Sequence, residues 1–143
     1  MIGAIIFQRN VRSAFDSLNQ RNLSKFMSGW AEDGTFIYPT VVSVGGKIEG
    51  KKAIESWFEK FMEQYPKLSF TVKNVCVQNA FAFGGTNVAA AEWDIAVTNR
   101  DGKDFQNSGV TVITAKGGKA VSVQDYIFDT ETVKKAWGES EGE

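Results

Sequence analysis

Apolar side chains recur at helical spacing over residues 7–19, where Phe7, Val11, Ala14, Phe15 and Leu18 fall on one face. The opening MIGAIIFQRN reads as the lead-in to this helix. Its apolar run is too short to span a bilayer, its basic residues follow that run, and no small-residue cleavage site comes after it. Asn22 is placed to cap a second, shorter helix with Leu23, Phe26, Met27 and Trp30 on one side. In the stretch GWAEDGTFIYP, Asp33-Gly34 reads as a turn and residues 35–38 as a short strand stopped by Pro39. Gly45-Gly46 reads as loop. A third amphipathic helix, residues 51–65, carries Ala53, Ile54, Trp57, Phe58, Phe61 and Met62 and closes before Pro66.

Beyond Pro66 the pattern changes to alternation. Leu68, Phe70 and Val72 alternate with polar residues, and the phase slips at Lys73-Asn74 so that Val75 and Val77 carry the apolar face. One extra residue there predicts a bulge. Residues 88–98 and 105–115 read as strands joined by the hairpin Asn99-Arg100-Asp101-Gly102, and Lys116-Gly117-Gly118-Lys119 turns the chain again into a last strand, residues 121–128. Asp129 or Thr130 caps a terminal helix that runs to Trp137, and the tail GESEGE is expected to be disordered. Three helices followed by a meandering antiparallel sheet predict a single α+β domain, its core spanning about 7–137, with helices on one face of a curved sheet.

Composition narrows the function classes. The chain of 143 residues fits one domain and is 43% hydrophobic and 23% charged, with net charge −1 and both signs interspersed. No basic stripe is present, so nucleic acid is not expected as a partner, and no segment reads as a membrane span. Cys76 is the only cysteine, which excludes an internal disulfide and points to a reducing, cytoplasmic setting. There is no histidine, so the commonest metal ligand and the commonest general base are both missing. Acid–base work would fall to Asp, Glu, Lys or Tyr, and neither a metal nor a cofactor is expected. No glycine motif fits a phosphate loop: Gly45-Gly46 lacks the Lys-Ser/Thr ending, and Gly84-Gly85 precedes a strand. The aromatic share of 13%, with 11 Phe and 4 Trp, is high enough to furnish an apolar pocket as well as a core.

Four segments together, GWAEDGTFIYP, GGKIEGKKAIESWFEKF, EWDIAVTNRDGKDF and DYIFD with its helix, resemble the nuclear transport factor two-like superfamily, in its SnoaL-like and ketosteroid-isomerase-like branch. The resemblance covers roughly Val11 to Trp137. It implies a cone, a bent sheet wrapped around three helices with an apolar pocket inside, and leaves activity open because that fold hosts enzymes and binding domains alike. The ketosteroid isomerases carry their general-base Asp immediately before the Pro of the first segment; here that position is Tyr38. Their oxyanion-binding Tyr falls on Ala14 or Phe15, and their second oxyanion donor near Val110. All three positions depart from the isomerase pattern. Glu32 and Asp33 match an acidic turn that is structural in that family.

One acid remains of chemical interest. In the last strand Val121, Val123, Asp125 and Ile127 share a face by alternation, so Asp125 is a carboxyl on the more apolar stripe. Burial there would raise its pKa and make it a proton shuttle, as in the SnoaL-like cyclases and limonene-epoxide-hydrolase-like enzymes it resembles. The structural alternative is that it pairs with a Lys or Arg, or accepts a bond from a buried side chain. The epoxide hydrolases add an Arg and a second Asp on the strand resembling AAAEWDIAV; here those positions hold Trp93 and Ile95, while Glu92 and Asp94 alternate to the opposite face. Asp129 sits where strand gives way to helix and is expected to cap.

The remaining candidate lining is aromatic: Phe15, Trp30, Tyr38, Trp57, Phe61 and Trp93, with the Tyr38 hydroxyl able to bond a ligand carbonyl or Asp125. Two readings follow. One is a cofactor-free isomerase, cyclase or lyase acting on a small apolar or polyketide-like molecule, with Asp125 as acid or base and Tyr38 as orienter. The other is a non-catalytic small-molecule-binding or dimerisation domain. The outer sheet face, with Tyr126 and Phe128 beside Ser122 and Gln124, suits a homodimer, unless the terminal helix with Val133 and Trp137 folds back over it.

Overall fold

The computed structural model describes residues 2–81 and 85–139. In chain order the elements are α1 (Ile2–Asn19), α2 (Leu23–Ser28), β1 (Trp30–Tyr38), β2 (Gly46–Glu49), α3 (Lys51–Gln64), β3 (Lys67–Val77), β4 (Thr86–Thr98), β5 (Asp104–Lys116), β6 (Lys119–Ile127) and α4 (Thr130–Ala136). The six strands form one curved, unclosed sheet in the order β2-β1-β6-β5-β4-β3. The α+β class and the helix-lined curved sheet are as the sequence predicts, with two differences. The sheet is mixed, because β1 runs parallel to β6. Gly46, read with Gly45 as loop, opens a short edge strand, Gly46–Glu49, antiparallel to β1.

Local chemistry explains the boundaries. Asn22 caps α2 by accepting from the Lys25 amide at 3.1 Å. Gly50, at φ +93°, holds a left-handed turn that lets α3 start directly after β2. Lys116–Lys119 closes the β5–β6 hairpin with both glycines at positive φ. The phase slip in β3 is a register shift between Val72 and Asn74. The acidic pair Glu32-Asp33 lies in the irregular part of β1, where pairing with β6 shifts between Trp30 and Thr35. Both acids are exposed, and Glu32 meets Lys51 at 3.7 Å. They shape a bulge within one longer strand, where a turn between helix and strand was expected.

Two hydrophobic clusters fill the concave side. The larger joins α3, β1 and α4 through Trp30, Phe36, Tyr38, Ile54, Trp57, Phe58, Phe61, Tyr65 and Val133; the smaller joins α1 to β3 and β4 through Val11, Phe15, Val75, Ala89, Ala91 and Trp93. Asp129 caps α4, accepting from the Thr132 amide at 3.1 Å. That bond and the Thr132 hydroxyl hold the exposed Asp129 carboxyl below its ordinary pKa. Helix α4 packs inward: Gln64 and Asn99 both donate to the Ala136 carbonyl, at 2.9 and 3.2 Å. Val133 and Trp137 therefore close the inner cluster and do not cover the outer sheet face. Of the tail expected to be disordered, residues 140–143 lie outside the described residues. Glu139 accepts from the Ser43 amide and hydroxyl.

Candidate functional site

Between the helices and the concave sheet face lies a cavity of about 600 Å³. Alternation along the strands decides what reaches it. From β6 it receives Ala120, Val123, Asp125 and Ile127. Val121, expected on this stripe, is the extra residue at a register shift between β5 and β6, so Ala120 takes the inward place. From β5 come Thr111 and Ile113, and from β4 Trp93, Ile95 and Val97. Val110, aligned with the isomerases' second oxyanion donor, points to the other face; its inward neighbours are Gly109 and Thr111.

The strand register builds the polar centre. Thr111 stands directly across from Asp125, and Trp93 directly across from Gly109. Thr111 donates its hydroxyl to Asp125 Oδ1 at 2.6 Å, and the Trp93 indole N–H donates to Thr111 Oγ1 at 2.8 Å. Each partner is a cross-strand or diagonal neighbour, within reach of an aromatic side chain. Gly109 makes this possible: a Cβ on it would lie 2.8 Å from the Trp93 ring and closer still to the Tyr126 carbonyl. The indole occupies the space that any other residue at 109 would fill.

Asp125 has no salt-bridge partner among the described residues. Every fully buried polar side-chain atom among them has a hydrogen-bond partner, whereas Asp125 Oδ2 has none, so this oxygen opens onto the cavity. Loss of bulk water around the carboxyl raises its pKa from 3.8 to about 6, and the Thr111 bond offsets only part of that rise. The carboxyl is then poised to exchange a proton near neutral pH.

Two phenols share the cavity. Tyr38 Oη accepts from the Trp137 indole N–H at 3.0 Å, which leaves its own proton to donate. It makes no hydrogen bond to Asp125. Burial lifts the Tyr38 hydroxyl well above the ordinary phenol range, the Trp137 bond lowers it somewhat, and the Asp125 charge raises it further. Tyr65 is lifted by burial and by Tyr38. Its hydroxyl has no partner among the described residues and, by the same accounting, faces the cavity. Both remain neutral phenols across the physiological range.

All the aromatic positions singled out in the sequence, Phe15, Trp30, Tyr38, Trp57, Phe61 and Trp93, border the cavity, as does Asp125. Trp57 is further pinned by its N–H, which donates to the Val44 carbonyl at 2.8 Å. The sequence reading missed Thr111, Tyr65 and Trp137. Tyr65 follows Phe58 and Phe61 at helical spacing, a signal that was present. Thr111 needed the strand register, and Trp137 needed the inward packing of α4. Among the described residues no group of three or more His, Cys, Asp or Glu side chains is arranged to hold a metal, and no helix is long and apolar enough to cross a membrane.

A curved, unclosed sheet folded over helices around an aromatic cavity defines the nuclear transport factor two-like class. Within it, residues 11–123 match the SnoaL-like domain model, and the chain belongs to that family. No curated protein matches the chain by sequence. Among solved structures it is similar to an isomerase candidate from Bacillus subtilis, with 25% identity over 92% of each chain and a TM-score of 0.77. It is similar to TerC, co-crystallised with polyporic acid, at 16% identity over 90% of this chain and 95% of that one, TM-score 0.74. A ketosteroid-isomerase-like protein from Catenulispora acidiphila in complex with trimethylamine shares 17% identity over 90% of this chain and 92% of that one, TM-score 0.69.

Proposed function

We propose that the cavity binds a small, largely apolar molecule and that Asp125 is the group that meets its polar atom, exchanging a proton with it in a cofactor-free isomerase, cyclase or lyase reaction. The observation that carries this reading is a lone carboxyl on an apolar wall, with one oxygen fixed by Thr111 and the other open to the cavity. Tyr38, with its own proton free to donate, is the orienting partner. Ligands seen in two structural relatives support small-molecule binding without fixing its chemistry.

A second reading, binding without turnover, is favoured by one feature. Among the described residues, the titratable groups beside Asp125 on the inner walls of the cavity are two phenols held in their neutral form, and Lys25 stands exposed at the rim, so no second acid or base inside completes a relay. For either reading we further propose a cytoplasmic homodimer paired through the outer sheet face, where Tyr126 and Phe128 are exposed.

An NMR titration of the Asp125 carboxyl tests the proton-transfer reading. A pKa near 6 is expected, and a value near the ordinary aspartate pKa of about 4 would remove its physical basis. Native mass spectrometry of protein from its source tests occupancy: a retained small molecule is expected, released by substitutions that fill the cavity.

A further inference from the structure

Among the described residues two charged side chains border the cavity, and they are placed very differently. Lys25 is exposed on α2 at the rim, whereas Asp125 lies on the inner wall. An anionic ligand would meet Asp125 with no buried cation to offset either charge. A neutral ligand would displace water from the carboxylate and give nothing back in charge. A cation would do both: it would pair with the open Oδ2 and lie against ring faces, whose quadrupole attracts positive charge. The walls around Asp125 supply such rings. Trp93 is reached through Thr111, Tyr38 is close enough for the Asp125 charge to act on its hydroxyl, and Trp57, Phe61 and Tyr65 continue the lining from α3.

Resting on the cavity as the ligand site, with or without turnover, we propose that this chain takes an organic cation, a tertiary or quaternary amine with apolar substituents, with Asp125 as counter-charge and the aromatic wall as its cage. The groups facing Asp125 do not compete for that role. Thr111 from β5 is neutral, Tyr38 from β1 and Tyr65 from α3 stay protonated, and β6 itself brings only apolar residues to the cavity. Among the described residues, Lys25 at the rim is the one positive side chain that borders the cavity, and it stands in solvent.

Three probes of similar size separate the alternatives by tryptophan fluorescence titration: benzyltrimethylammonium, its uncharged isostere neopentylbenzene, and phenylacetate. The ammonium cannot titrate or donate, so any pH dependence of its binding reports the protein. At pH 8 the ammonium should bind about tenfold or more tighter than the isostere, and phenylacetate weakest. The preference should fade as the pH falls through about 6, where Asp125 takes up its proton. Asp125→Asn should abolish it while neopentylbenzene binding survives. If that variant does not fold, the pH series on the unaltered chain carries the same test. Equal or tighter binding of the isostere or of phenylacetate overturns the proposal but leaves the cavity reading intact. Failure of all three to bind overturns the proposal and counts against the cavity as well.

Discussion

The sheet carries the same polar motif on both faces. On the inner face Thr111 of β5 donates to Asp125 of β6 at 2.6 Å; on the outer face Ser108 of β5 donates to Asp94 of β4 at 2.6 Å. In each pair the two residues stand directly across the ladder, so alternation and register produce both bonds in the same way. Both acids are half-buried. What differs is where that surface opens. Asp94 borders an open concavity of mixed polar and apolar lining, with Ser69, Thr71 and Phe128, whereas Asp125 opens into the aromatic cavity. Fractional exposure alone would class the two carboxyls together; the character of the space in front of them tells them apart.

The largest expected effect tests how far the inner motif depends on packing. Trp93 is 2% exposed, anchors Thr111 and packs edge-on against Phe70 with ring centroids 5.3 Å apart. Trp93→Ala should cost about 3–5 kcal/mol in a urea melt. The outer counterpart, Asp94→Asn, should stay within about 0.5 kcal/mol. Similar losses from both substitutions would mean the two faces are not energetically distinct.

Next in size is the pH dependence. Asp125 is raised in the folded state, so the fold holds its proton more tightly than the unfolded chain does. Its stabilising contribution is fully present below about pH 4 and is lost as the pH rises through about 6. A rise from 3.8 to about 6 corresponds to about 3 kcal/mol at most. Asp125→Asn keeps an acceptor for Thr111 and removes the ionisation. It should flatten the stability curve between pH 4 and 6 and leave the variant at least as stable as the parent at pH 7.5. A strongly destabilised Asp125→Asn would show instead that the carboxylate holds a buried charge partner.

Smaller again is the Tyr38–Trp137 bond, which ties β1 to the segment after α4. Tyr38→Phe strands the Trp137 N–H and should cost about 1–3 kcal/mol. Phe also removes the donor facing the cavity, so ligand affinity and stability should fall together in this variant. A stability loss with unaltered affinity would confine Tyr38 to a structural role.

These contrasts also mark what the sequence could carry. The alternation of β6 was enough to place Asp125 inside and Tyr126 outside, and the alternation of β4 set Trp93 and Glu92 on opposite faces, because one residue's step decides the face. It failed at Val121, which sits at a bulge whose extra residue leaves no mark in an apolar run. The parallel pairing of β1 with β6 depends on contacts between the two ends of the chain, which local periodicity does not encode. The Trp93–Thr111–Asp125 chain likewise needed register, and with it the gap that Gly109 leaves for the indole.

The smallest effect on the fold is expected where the outer face is altered without touching the ladder. Tyr126 is 49% exposed and Phe128 65%; Tyr126 stands across from Val110 on the side away from the cavity, and the Phe128 amide donates to the Ser108 carbonyl. Tyr126→Glu places a charge in solvent and should change monomer stability by no more than about 0.5 kcal/mol. If this face pairs two copies, the same substitution buries two carboxylates near a two-fold axis, a desolvation cost with no cation in Tyr126's place to offset it. Sedimentation at micromolar concentration should then give twice the 15.8 kDa chain mass for the parent and a shift toward the single mass for the variant. A parent sedimenting as one chain removes the dimer outright. A variant that stays dimeric moves the interface elsewhere, and would leave the outer face as a solvated surface whose two aromatics have no partner.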